Sequence, residues 1–219
     1  MVTRVFLVRH GATTLSAEDR FAGSVDVPLS DEGRDQARRL GHRLAAEAIE
    51  AAYASPLSRA SETARLVTHG RDLEVRPVEA LREVSHGRWE ERTREEVRRE
   101  FAVEYERWER DPFTFGPTGG ESGLEVLSRA LPAFLAVVAL HRGGSALVVS
   151  HKATIRLLIG HLLGFELRAY RDRLDQSPCA LNILDVQETG EARLVLYNDV
   201  AHYATVPGPV GAHLSPWWA

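Results

Sequence analysis

Arg4-Val5-Phe6-Leu7-Val8-Arg9-His10-Gly11 is the stretch from which the rest of the chain is read. Positions 4–8 form a short apolar run rich in β-formers, the pattern of a buried strand, and Arg9-His10-Gly11 carries that strand into a loop. Chemistry is plausible at such an exit, because the strand holds the backbone rigid while the loop frees the side chains to meet a ligand.

The pattern continues outward as further strand-then-helix units. Ser30 can cap a helix with Asp31 and Glu32 in its first turn, and Ala37, Leu40, Gly41, Leu44, Ala45 and Ala48 then recur at helical spacing. Ala51 to Ala54 reads as a second strand closed by Ser55-Pro56, followed by a helix from Leu57 to about Val67. Val75 to Val78 is a short strand. Arg94 to Trp108 reads as one charged peripheral helix with Val97, Phe101, Tyr105 and Trp108 on one side.

Asp111 to Gly120 is a loop, and a long apolar helix is expected from Ser122 to His141, kinked at Pro132. Ser145 to Ser150 is the most strand-like run of all. It leads through His151 into a helix striped by Ile155, Leu158, Ile159, Leu162 and Leu163. Ala180–Val186 and Ala192–Tyr197 flank a Glu188-Thr189-Gly190 turn as a terminal hairpin. The alternation predicts an α/β fold, a three-layer α/β/α sandwich with a central, mostly parallel sheet, in which ligands gather outside the carboxyl ends of strands. Arg9, His10 and His151 fall at two such ends.

No linker divides the 219 residues, so a single domain over 1–219 is expected, with a peripheral helical and loop insertion at about 90–121. The formal net charge of −4 argues against nucleic acid or an anionic membrane as partner. Cys179 is the only cysteine, which excludes an internal disulfide framework, and no signal-peptide pattern opens the chain, so a cytoplasmic address is expected. No apolar run is expected to approach the roughly 18 to 20 residues that a membrane span needs.

Phosphoryl transfer requires a nucleophile, cationic donors for the equatorial oxygens and an acid for the leaving oxygen. His10 can attack phosphorus through one neutral ring nitrogen while its other N–H is held by a backbone carbonyl or a carboxylate. Arg9 beside it can grip phosphate with the planar, bidentate geometry that lysine lacks.

In the sequence Leu7-Val8-Arg9-His10-Gly11-Ala12-Thr13 the chain resembles the histidine phosphatase superfamily, also called phosphoglycerate mutase-like, whose signature is an Arg-His-Gly triplet after the first strand. Similar blocks follow in the family's order: Asp26 to Ala37, Ser55 to Ala64, Leu81 to Glu90, Gly119-Gly120-Glu121-Ser122, and Val148-Val149-Ser150-His151. The resemblance implies that His10, Glu83 and His151 are catalytic and that Arg9 and Arg59 bind phosphate. Glu83 would protonate the departing alkoxide and then activate water against phosphohistidine. No cofactor or metal is implied.

Several positions depart from the family pattern. Ala12 stands where glutamate or glutamine is common, and Leu15-Ser16 replaces Trp-Asn, although Ser16 could still donate to phosphate. Lys152 replaces the glycine that often follows the second histidine. Its ammonium could reach a second anionic group or point to solvent, and solvent is the favoured reading. Arg20, Phe21 and Gly23 are candidate leaving-group contacts, with an ordinary packed loop as the competing reading. Tyr105 and Trp108 read as helix-packing aromatics. The Pro-Trp-Trp end is either a docked tail or an oligomer contact, and a homodimer stays open.

The function expected is a phosphomonoester hydrolase working through a phosphohistidine on a small phosphorylated metabolite. A 2,3-bisphosphoglycerate-dependent phosphoglycerate mutase is the first alternative, disfavoured because Val84-Ser85-His86-Gly87-Arg88-Trp89 resembles the phosphatase branch. An inactive phospholigand-binding domain is the second, against which both His10 and Glu83 argue. A metal-dependent hydrolase finds no support among the nine histidines, which show neither His-x-His-x-Asp nor His-Glu-x-x-His spacing.

Overall fold

A computed structural model of the chain describes residues 1–14 and 20–204. Its centre is a six-stranded sheet made of β1 (Val2–Arg9), β2 (Ala51–Ala54), β3 (Val75–Pro77), β4 (Ser145–Ser150), β5 (Leu181–Gln187) and β6 (Ala192–Asp199), in the order β3-β2-β4-β1-β5-β6. The first four neighbours pair in parallel, whereas β5 runs antiparallel to β1 and β6 antiparallel to β5.

Both faces of this sheet are covered, and the alternation within its strands shows how. Val5 and Leu7 of β1, Tyr53 of β2 and Val148 of β4 face one way, into a core shared with α5 (Gly123–Leu140) and α6 (Lys152–Leu162). Phe6, Val8, Ala54 and Val149 face the other way, against α1 (Asp31–Arg43) and α2 (Ser58–Val67). A strand apolar at consecutive positions is stable only between two such layers. The expected three-layer sandwich is therefore the observed one.

Helix ends follow local chemistry. Ser30 caps α1 by accepting from the Gly33 N–H, and that helix stops at Arg43 rather than continuing to Ala48, with Leu44 still buried just beyond its end. The expected single helix over 94–108 is broken at Phe101, whose φ of −128° and ψ of 41° separate α3 (Arg94–Glu100) from α4 (Ala102–Arg110). The kink turns the ring of Trp108 and that of Tyr105 onto Phe21, Trp89 and Val97, so these two aromatics pack a small separate core. A further short helix, α7 (Tyr170–Arg173), had no clear sequence signal.

The long helix α5 starts in a capping box between Ser122 and Glu125 and carries Pro132 inside it. Its 18 residues are long and apolar enough to cross a bilayer, which corrects the expectation that no run comes near that length. The reason is that Val126, Ala130, Phe134 and Val138 serve the core on one face, while small and apolar residues also occupy the other.

Candidate active site

Three adjacent strands, β2, β4 and β1, end side by side at the same edge of the sheet. Arg9 lies opposite Ser150 in the parallel register, so the residues that follow each, His10 and His151, leave the sheet together. The His10 N–H donates to the Ser150 carbonyl at 3.0 Å, and the Ser55 N–H to the Val149 carbonyl at 3.0 Å. The two imidazole centroids come to rest 5.1 Å apart, with ring planes inclined at 59°.

The loop after His10 is pressed against the start of α1. A β-carbon on Gly11 would lie 2.5 Å from the Gly33 carbonyl oxygen, and one on Gly33 would lie 2.0 Å from that of Ala12. Neither residue can carry a side chain without moving the other's backbone. The Gly11 N–H donates to Thr63 Oγ1 at 3.0 Å and the Ala12 N–H to Gln36 Oε1 at 3.0 Å, which fixes the turn that aims His10.

His10 is buried, and its Nδ1 lies 2.8 Å from the Gly11 carbonyl oxygen. A carbonyl only accepts, so Nδ1 carries the hydrogen and Nε2 presents a lone pair. Burial, then the charges of Arg9 and Arg59, push the imidazole well below its ordinary pKa and keep it neutral. His151 is fully buried, and its Nε2 is 2.8 Å from Ser55 Oγ. Ser55 Oγ accepts from the Leu57 N–H at 3.3 Å and can give its own proton to Nε2. That assignment places the His151 hydrogen on Nδ1, which is buried and has no partner among the described residues.

Arg59 is buried, donating Nη1 to the Val25 carbonyl at 2.7 Å and Nη2 to that of Gly23 at 2.8 Å. Arg9 donates Nη1 to the Gln176 carbonyl at 2.5 Å, while its Nε is buried and unpartnered. Burial lowers the Arg9 pKa to about 10 against the opposing pull of Glu83, so the guanidinium stays charged at neutral pH. Neither arginine forms an ion pair with a carboxylate among the described residues, which leaves one buried and one half-buried cation beside two neutral histidines.

Glu83 reaches the start of α6, where its carboxylate accepts from the Ala153 N–H at 3.2 Å and the Thr154 N–H at 3.3 Å. The segment that carries it, a short 3-10 turn over Glu79–Leu81 and the residues after it, is held by Arg129, which donates to the Ala80, Arg82 and Glu83 carbonyls and pairs with Glu121.

The remaining candidates are spread around this centre. Arg20 is exposed and donates to the Glu91 carbonyl at 2.7 Å, Phe21 sits in the small aromatic core, and the Gly23 carbonyl holds Arg59. Lys152, read from sequence as favouring solvent, is instead half-buried at the first position of α6. Ser16 and the Pro-Trp-Trp end lie outside the described residues. Sequence reasoning passed over Ser55, Thr63 and Gln36, and it passed over Glu90, whose Oε1 accepts from Ser24 and from the His86 N–H. Ser55 alone had a signal, since it ends the strand beside the one that delivers His151. Among the described residues no cluster of three or more His, Cys, Asp or Glu could hold a metal ion.

The family model described as histidine phosphatase superfamily (branch 1) matches residues 5–200. Adenosylcobalamin/alpha-ribazole phosphatase of Escherichia coli is 34% identical over 175 residues, 79% of this chain and 86% of that one. A probable phosphoglycerate mutase of Cronobacter sakazakii is 33% identical over 190 residues, 85% of this chain and 86% of that one. Among solved structures, YhfR of Bacillus stearothermophilus superposes with a TM-score of 0.86 at 32% identity, covering 91% of this chain and 98% of its own.

Proposed function

Since the chain belongs to the histidine phosphatase superfamily and acts as a hydrolase of small phosphorylated metabolites, we propose that His10 is its nucleophile and that the phosphoryl group passes to water through phosphohistidine. The observation that supports this most directly is the His10 ring, neutral, with Nδ1 tied to the Gly11 carbonyl and the charges of half-buried Arg9 and buried Arg59 acting on it.

In the first step Nε2 attacks phosphorus, the P–N bond forms as the ester P–O bond breaks, and Glu83 in its acid form gives its proton to the leaving oxygen. Arg9, Arg59 and the Nδ1–H of His151 compensate the charge spread over the three equatorial oxygens. In the second step water attacks phosphorus, the Glu83 carboxylate takes its proton, and the P–N bond breaks to release phosphate and restore neutral His10. The positions of Phe21, Gly23 and Arg20 support a cap over the leaving group, formed with the insertion at about 90–121. No step calls for a metal, and a cytoplasmic setting suits small phosphorylated metabolites as substrates.

The test is hydrolysis of p-nitrophenyl phosphate in excess chelator, together with trapping of an acid-labile phosphoenzyme. Turnover is expected to survive chelation, and His10→Ala is expected to lose both turnover and label. Chelator-sensitive turnover, or label that persists in His10→Ala, overturns the mechanism. The likeness to the Cronobacter sakazakii protein favours bisphosphoglycerate-dependent mutase turnover as the second reading. Transfer of label to phosphoglycerate rather than to water identifies it.

A further inference from the structure

Beside the catalytic cluster lie two cations that the two steps above do not use, Lys152 and Arg156, and they adjoin Arg9, which those steps do use. Lys152 follows His151 directly, is half-buried, and makes no hydrogen bond or ion pair with any described residue. One turn later on α6, Arg156 is 8% exposed; its Nη2 is 3.3 Å from Asp175 Oδ1 and its Nε is buried with no partner. Arg9 adds the second orphaned Nε. Among the described residues Asp175 is the one carboxylate paired with this group, Glu83 reaching Arg9 and Arg156 only through its field, and the Asp175 side chain is 72% exposed, so most of its charge is spent on water.

Like charges are not gathered in a partly desolvated place without a counter-ion, because each one disfavours the others and burial disfavours them all. Lys152 feels this repulsion: burial first, then Arg156 and Arg9, lower its ammonium to about 8. Arg94 of α3 adds to it, so the charges of Arg9 on one element and Arg94 on another both reach Lys152. Lys152 is the residue next to His151, so a leaving group on the phosphorus attacked by His10 comes within reach of its long side chain.

We propose that Lys152, Arg156 and Arg9 form a second anion subsite, and that the substrate is a phosphomonoester whose leaving group carries another negative group, a carboxylate or a phosphoryl group. This rests on the reading of His10 as nucleophile only for the identity of the first anion. Arg156 supplies an N–H edge and Lys152 a mobile point charge, a pair that accepts either chemistry.

The experiment compares matched probes. 3-Phosphoglycerate is set against glycerol 3-phosphate, and fructose 1,6-bisphosphate against fructose 6-phosphate, by kcat/KM in the wild-type protein and by calorimetric affinity in His10→Ala. The acidic member of at least one pair is expected to be favoured about tenfold or more, the worth of one charge-assisted contact. Which pair responds separates carboxylate from phosphoryl. Lys152→Gln should bring that ratio to within about twofold and Lys152→Arg should retain it. Because a ratio is read, a general loss of activity cancels. Ratios near one in both pairs, or a preference that Lys152→Gln does not alter, overturn the subsite. If p-nitrophenyl phosphate is not hydrolysed while the affinity ratio in His10→Ala persists, the subsite stands and the hydrolytic reading falls.

Discussion

Ser55 shows how much of the site depends on groups that never meet phosphorus. Its hydroxyl lies 2.8 Å from the His151 Nε2 and accepts from the Leu57 N–H, which makes it a candidate positioning residue for that ring. Ser55→Ala is expected to lower kcat by about ten- to a hundredfold with a smaller change in KM, and Ser55→Thr to recover part of it. An equal loss in both parameters would assign Ser55 to packing instead. The neutral histidines have a second consequence. His10 and His151 are held well below the ordinary imidazole value and His86 at about 4, in each case chiefly by burial. The unfolded chain binds these protons near pH 6.5 and the native one does not, so stability is full above that value and is lost as pH falls toward 4. Thermal midpoints should therefore drop between pH 6.5 and 4.5, before the native carboxylates titrate. A flat profile in that window would mean that the imidazoles are charged in the native state. His10, Arg9, Glu83 and His151 were legible in sequence because each belongs to a contiguous motif. Ser55, Gln36 and Thr63 act across 24 to 96 residues of chain, and one sequence carries no mark of such pairings.

At the scale of the element, α1 matters less for its apolar stripe than for the absence of a side chain at Gly33. Gly33→Ala should displace the Gly11–Ala12 backbone and lower kcat/KM by about tenfold or more, while the α1 helix itself is preserved and even gains propensity. Far-ultraviolet circular dichroism beside kinetics checks both halves of that expectation. Helix α3 offers a complementary case. Thr93 closes a capping box on α3 with Glu96, so Thr93→Ala should cost about 1 kcal/mol in denaturant midpoint experiments. Strand and helix types along the chain could be read from the apolar pattern because the two-sided core demands apolar side chains through Val5 to Val8 of β1 and along β2 and β4. The break at Phe101 could not, since both halves of the charged segment favour helix and only docking of Tyr105 and Trp108 onto Phe21 dictates the bend.

Across the whole molecule, the aromatic core of Phe21, Trp89, Val97, Tyr105 and Trp108 is distinct from the two cores that flank the sheet. Trp108→Ala should remove about 3 to 5 kcal/mol of packing there. If the cap holds the leaving group, KM for a metabolite should rise more than KM for p-nitrophenyl phosphate, and parallel rises would show a purely structural role. The sheet order has a consequence for synthesis. β1 is the first strand to leave the ribosome, yet its partners on either side are β4 and β5, which begin at Ser145 and Leu181. For most of translation His10 sits on an unpaired apolar strand awaiting both neighbours, and contacts so distant in sequence form late. A nascent chain cut before β5 should thus hold α1, β2 and α2 without any phosphoenzyme chemistry. The signature triplet is made first and becomes competent last.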